Sequence, residues 1–377
     1  MAAPTYVLTE LLSVPPSPDN NVGGKFTLFD NSFFDGVTQN YYLADRSNAA
    51  VDVFSAATDS FVGRIGGTGQ AFVGIQPPPP AAPDLDKSGP NGIIVFDANG
   101  HHVLFAGDGD STVKGFDLSN TYAPLSNTPI VTGNAATDLR DNEFAYSETS
   151  HRLLVVNSDA TPAYATLIDT TTNTIVGKIP FDGKNGTPNA TQGLKASTYD
   201  PMTNLFYTNL AQINGTGPGA TVAIDPNTGK VVKVYDLAAF GFATCAPVGI
   251  AQGNGSQLLI GCGEPGQSIL LDSAAQEGNG SAVGIPQVSG VDQVWFDPAS
   301  NLYFEAARFN PTGPVLGIID GATGHFLQNL PAMPNTHSVA VDPVSGKAFV
   351  PFAGIAGNTV CPDGCIAVFS PAAAKPQ

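Results

Sequence analysis

Apolar and polar residues alternate along this chain in short runs, and each run is closed by a cluster of turn-forming residues. One phrase recurs: an alternating run, then Asp-Pro-x-Ser/Thr-Gly/Asn, then a second alternating run. It reads STYDPMTNLFYTN at 197–209, QVWFDPASNLYFEA at 293–306 and SVAVDPVSGKAFVP at 338–351. Looser copies are NSFFDGVTQNYYLAD (31–45), IIVFDANGHHVLFAG (93–107), FAYSETSHRLLVVN (144–157) and VGIAQGNGSQLLIG (248–261). Period-two alternation predicts strands. The turn residues tolerate the left-handed region or bond their own backbone, so each copy predicts a two-stranded hairpin.

A third strand follows each hairpin and commonly ends in Asp and a second turn, as in ATLIDTTTNTIVGKI, TVAIDPNTGKVVKVY and LGIIDGATGHFLQNL. A fourth leads to the next copy. The copies are spaced mostly at about 40–50 residues, the period of a propeller blade. The predicted fold is all-β: one seven-bladed β-propeller of four antiparallel strands per blade, spanning 1–377. The blades fall near 26–65, 92–130, 141–180, 193–237, 247–286, 290–331 and 338–371. The last copy lacks a fourth strand, and TYVLTELLSV near the N-terminus (5–14) supplies one, which closes the ring and removes an open edge. A Pro-rich excursion at 66–90 interrupts the first step and reads as a surface loop or lid.

The units VAIDPNTGKVV, VAVDPVSGKAFV and YYLADRSNAAVDVF resemble the YVTN and NHL repeats of seven-bladed propellers of the lactonase-like superfamily. The resemblance covers nearly the whole chain and implies the fold. It leaves function open, because that superfamily spans lactonases, lyases, synthases and binding scaffolds. Its metal-dependent lactonases have Glu/Asn/Asn/Asp collars. The Trp-Asp signature of WD40 repeats is absent.

Composition narrows the partners. With 42 Gly, 31 Pro and 12% charged residues, the chain suits short strands and tight turns. A net charge of −17 argues against nucleic acid. No apolar run is long enough to span a bilayer. A small molecule or a divalent metal is easier to accept, and the chain is expected to be a monomer. GxSxG and HExxH are absent, and no glycine-rich stretch has the strand–helix context and Lys of a phosphate loop.

In a propeller the loops entering the innermost strands meet at one mouth of the central channel, where ligands bind. Reading one position down the repeat, five residues before the turn Asp, gives Asp30, Gly92, Glu143, Lys195, Pro247, Asp292 and His337. Five of these are ionisable, and facing carboxylates repel unless a cation joins them or one keeps its proton. Asp30, Glu143, Asp292 and His337 are therefore candidate ligands of a divalent ion, Ca²⁺ or a transition metal. Glu143, His337 and Asp292 are candidate bases, with Lys195 as oxyanion stabiliser. Lys195 and His337 depart from the lactonase collar, and a lysine competes with a metal. Asp45, Arg46, Asn157 and Arg308, from loops after second strands, are candidate substrate-binding residues; Asp108 and Glu264 occupy similar loops. A solvated salt-bridge ring with no chemistry fits the same pattern. His101, His102, His151 and His325 read as surface residues, the turn Asp residues as caps, and Trp295 as core.

Four cysteines form two local pairs, Cys245 with Cys262 across a hairpin and Cys361 with Cys365 around CPDGC, so both predict disulfides. The start, MAAPTYVLTE, has no signal-like region, so a mature secreted or periplasmic chain is expected. Five sequons occur, at Asn185, Asn189, Asn214, Asn254 and Asn279. The expected function is a metal-assisted, lactonase-like hydrolase or a lyase acting at the channel mouth; the alternative is a non-catalytic ligand- or protein-binding propeller.

Overall fold

A computed structural model describes residues 4–66, 71–263, 265–274 and 281–372. Seven antiparallel sheets follow one another around a central channel, each the product of one repeat. Blade 1 runs through Ser32–Asp35, Asn40–Asp45, Ala50–Ser55 and Ser60–Ile65, in chain order from the axis outward. Blades 3 to 6 repeat that order. In blade 2 the outer strand is split into two short pieces, Ala123–Pro124 and Ile130–Val131. Blade 7 takes Ala340–Val341, Ala348–Phe352 and Cys365–Pro371 from the C-terminal end and Tyr6–Ser13 from the N-terminal end. The closing register runs from Tyr6↔Pro371 to Ser13↔Cys365.

The hairpin turns explain the repeat. At the same turn position Gln39, His151, Asn204, Asn301 and Gly346 all have positive φ, the left-handed region that Gly and Asn adopt most readily. The recurring Asp before the turn is a cap, as expected. Asp297, for example, accepts the backbone N–H groups of Ala299 and Ser300 at 3.1 Å. His151 is thus a turn residue.

Seven apolar clusters lie between neighbouring blades, one at each junction among the described residues. The cluster of Leu43, Phe54, Phe349 and Val368 joins blade 7 to blade 1 and closes the ring. Middle strands are buried on both faces, as in Arg152–Asn157, whereas outer strands such as Thr174–Pro180 are largely exposed. Trp295 packs against two of the clusters but also lines the channel, so it is not purely core.

Both disulfides form. Cys245 and Cys262 have Cα atoms 5.2 Å apart, and Cys361 and Cys365 5.7 Å. The residue directly opposite Cys262 in the ladder is Pro247, not Cys245. Two disulfides are compatible with an extracellular location. Among the described residues no helix is long and apolar enough to cross a membrane. The sequon at Asn279 lies outside the described residues.

Candidate active site

The five ionisable residues read down the repeat meet. Asp30, Glu143, Lys195, Asp292 and His337 all line one cavity of about 530 Å³ at a channel mouth. Each sits at or just before an innermost strand, and ring closure brings blade 7 beside blade 1. Arg46, Arg140 and Arg308 line the same cavity, so with Lys195 four of the chain's 15 basic residues gather there.

The arginines neutralise most of the collar. Arg46 is buried, bonds Asp30 and donates to Asn91 Oδ1. Arg140 reaches three carboxylates, Asp159 at 2.8 Å, Asp86 at 3.3 Å and Asp30 at 3.7 Å. Burial pushes the Asp30 carboxyl up, but Arg46 and then Arg140 pull harder and hold it below the ordinary carboxylate range. Burial lowers Arg46 to about 10. Burial also disfavours charge on Arg140, but its three carboxylates, Asp159 first, outweigh that and raise it. Arg308 pairs with Asp292 at 2.6 Å, while its buried Nε has no hydrogen-bond partner.

Glu143 differs. Among the described residues no cation forms an ion pair with it; Asn31 Nδ2 donates to its Oε1 at 2.6 Å. Burial pushes its carboxyl up to about 7, the Asn31 bond opposes this, and the charges of Asp30 and Asp292 add to the rise. Glu143 and Ala196 line both this cavity and a second one deeper in the channel, so they mark its waist. Lys195 lines the mouth and, among the described residues, makes no ion pair or hydrogen bond.

His337 is held in the wall of the cavity by backbone and by a ring. Nδ1 lies 2.7 Å from the Asn335 carbonyl and Nε2 3.2 Å from that of Phe29. Its ring stacks on Phe29 at 4.5 Å and 4°. Burial and then Arg308 hold the imidazole below its ordinary value, and both ring nitrogens face backbone carbonyls.

The expected metal set does not fit. Asp30 and Asp292 are engaged by guanidinium groups and His337 by backbone, and three arginines line the same cavity. Among the described residues no group of three or more His, Cys, Asp or Glu is arranged to hold a metal ion.

Asp45 and Asn157 are not at the mouth, a second correction. Asp45 is fully buried inside blade 1; it accepts from Asn48 N–H and from Asn48 Nδ2 at 3.0 and 2.6 Å, and burial lifts it to about 6. Asn157 bonds Asp141, Thr132 and Thr166. Asp108 is likewise paired, with Lys114. The residue just after a second strand can reach the mouth, as Arg46, Gly263 and Arg308 do, whereas Asp45 and Asn157 are the last residues of their second strands. Glu264 lies outside the described residues.

Arg140, Asn31 and Asp86 are site residues that one position per repeat cannot reveal. The scarcity of basic residues was the available signal for Arg140, three positions before Glu143. Asp86 and Leu85, in a short 3-10 turn of the Pro-rich excursion, also line the mouth. Arg140 therefore ties that excursion over the cavity. His102, expected at the surface, instead bridges two blades, with Nε2 2.9 Å from Asp35 and Nδ1 2.6 Å from Asp97.

No family model matches the chain, and no curated protein does. Among solved structures it is similar to a chain of a mitotic checkpoint complex at 11% identity and a TM-score of 0.64, covering 96% of this chain and 91% of that one. It is also similar to a chain of Kuenenia stuttgartiensis hydrazine synthase at 11% identity and a TM-score of 0.63, covering 90% and 95%. Chaetomium thermophilum Raptor aligns at 13% identity and a TM-score of 0.62 over 98% of this chain, which spans 30% of that one. At these identities the likeness is of fold alone: the chain is a seven-bladed β-propeller.

Proposed function

We propose that the protein acts on a small molecule bearing an anionic group, as a lactonase-like hydrolase or a lyase that uses no metal. The observation that carries this reading is the contrast at the mouth. Two collar carboxylates are neutralised by arginines, while Glu143 is held by a single amide at the channel waist. A carboxyl with its midpoint near neutrality can both take and return a proton. In its ionised form Glu143 takes a proton from a water, or from carbon beside a carbonyl. Lys195 holds the oxyanion that forms. Arg308, which lines the mouth with Lys195, takes the anionic group. Arg46, Arg140 and His337 keep the collar rigid, and Leu85 and Asp86 cover it.

A second reading is a non-catalytic binding propeller, favoured by the already satisfied pairs Asp30–Arg46 and Asp292–Arg308. A panel of lactones and carboxylate esters, followed by turnover and by thermal shift, separates the two. Glu143→Gln should lower kcat/KM at least about 100-fold while compounds still bind. Compounds that bind but are never turned over would replace the catalytic reading with the binding one, and turnover untouched by Glu143→Gln would overturn the role given to Glu143.

A further inference from the structure

Below the waist the channel changes character. The cavity there has a volume of about 340 Å³, and Glu143, at its upper end, is the one charged residue among the described residues lining it. Phe33, Tyr146, Tyr199, Trp295 and Phe296 form much of the wall. Phe33 meets Trp295 edge to face, with ring centres 5.4 Å apart at 80°.

The polar groups of this wall are spent on one another. Ser338 Oγ donates to Gln293 Oε1 at 2.6 Å, and Gln293 Nε2 donates to the Ser32 carbonyl at 3.0 Å. The hydroxyls of Ser32 and Ser338 are 2.6 Å apart, and those of Ser197 and Thr208 2.9 Å. The Tyr146 hydroxyl donates to the Asp97 carbonyl at 3.3 Å, and that of Tyr199 to Asn204 Oδ1 at 2.8 Å. With these polar groups already partnered, the aromatic rings are the part of the wall that remains to hold a ligand by contact. Ring edges and faces already set at aromatic spacing suit an aryl group better than a flexible alkyl chain, because aromatic contacts gain beyond the area they bury.

We infer that the ligand spans the waist: an arylalkyl carboxylate whose anionic end meets Lys195 and Arg308 at the mouth, and whose ring occupies the lower cavity beside Phe33 and Trp295. This deepens the reading of the mouth and rests on it. The two halves supply complementary recognition, since the upper cavity holds the four basic side chains and the lower one none.

Trp295 is the chain's single tryptophan, so its emission reports on the lower cavity directly. The wild-type protein is titrated with 3-phenylpropionate, with acetate and with 3-phenylpropan-1-ol, reading Trp295 emission and calorimetric affinity. The inference expects a saturable emission change with 3-phenylpropionate and binding at least about tenfold tighter than either comparison compound, as burial of a ring or pairing of a charge requires. Ile94→Phe, which narrows the lower cavity, should weaken 3-phenylpropionate about tenfold and leave acetate unchanged. The wild-type titration stands without that variant should it fold poorly. Equal binding of 3-phenylpropionate and acetate with constant emission overturns the inference and leaves the mouth reading intact. If the alcohol binds as tightly as the acid, the spanning carboxylate and the mouth reading fall together. Absence of binding by all three overturns the inference.

Discussion

Replacing Glu143 by Gln tests the central physical claim about the mouth without any substrate. In the unfolded chain this carboxyl titrates near 4.5, and in the fold burial pushes it up to about 7. Between those values the folded state holds a proton that the unfolded state has released, so stability falls as pH rises through this window. At about 1.4 kcal/mol per pH unit, the folded state loses on the order of 3 kcal/mol by pH 8 relative to pH 4.5. Glutamine keeps the shape and an oxygen for the Asn31 amide but carries no charge at either pH. Glu143→Gln should therefore match the wild type near pH 4.5 and exceed it by on the order of 3 kcal/mol at pH 8. With an unfolding entropy of about 2 cal/mol/K per residue over 377 residues, that is a rise in Tm of roughly 4 °C. Calorimetry of both proteins across pH 4.5–8 reads the difference, in which every other titrating group cancels. A difference in Tm that does not change with pH, or a variant less stable at pH 8, would refute the buried, unpaired carboxyl on which the proton-transfer role depends.

Three further predictions follow from other groups. His102 is buried enough to lose charge, yet its bonds to Asp97 and Asp35 outweigh that and raise its pKa. Its contribution is therefore complete below the unfolded value near 6.5 and fades as pH climbs through the raised folded value. His102→Ala should cost on the order of 1–2 kcal/mol in urea titrations at pH 5.5 and clearly less at pH 9, and an equal cost at both would remove the charged bridge. Arg140→Ala leaves Asp159 without its main partner and Asp30 with Arg46 alone. It should cost on the order of 3–5 kcal/mol in chemical denaturation and expose 77–90 to limited proteolysis, with Arg140→Lys partly restoring both. Chelation, and addition of Ca²⁺ or Zn²⁺, should leave Tm within about 1 °C, since Asp30 and Asp292 are occupied by arginines and Glu143 alone offers a single carboxylate; a stoichiometric metal whose removal lowers Tm would overturn the metal-free reading.

Fold and collar position were legible in the sequence for a single reason: both are periodic. Alternation sets which face of each strand packs, the Asp and left-handed turn residues end each hairpin, and seven such units suffice to specify the ring. The same repeat, read at one position, places Asp30, Lys195, Asp292 and His337 at one mouth, because propeller symmetry maps equal positions onto equal radii; Glu143 lies one residue further in, since Asn142 holds the register of Asp30 and Asp292. The disulfides are local enough in sequence to read as pairs.

What the side chains do once gathered was decided only by contacts between different blades. His337 looked like a base because histidine titrates near neutrality, but stacking on Phe29 and two carbonyls turned it into a wall. Asp30 and Asp292 looked like metal ligands until Arg46, Arg140 and Arg308 arrived from other loops. Asp45 and Asn157 stand one residue before the position of Arg46 and Arg308, at the ends of their second strands, and bond to neighbours there instead. The Pro-rich excursion carried no periodicity, so its place over the mouth emerged only with the Asp86–Arg140 pair. A repeat determines backbone position, whereas charge state and hydrogen bonding depend on non-repeating neighbours. For that reason the sequence by itself determined the propeller and the composition of its collar, and tertiary structure alone decided which carboxyl was left unpaired.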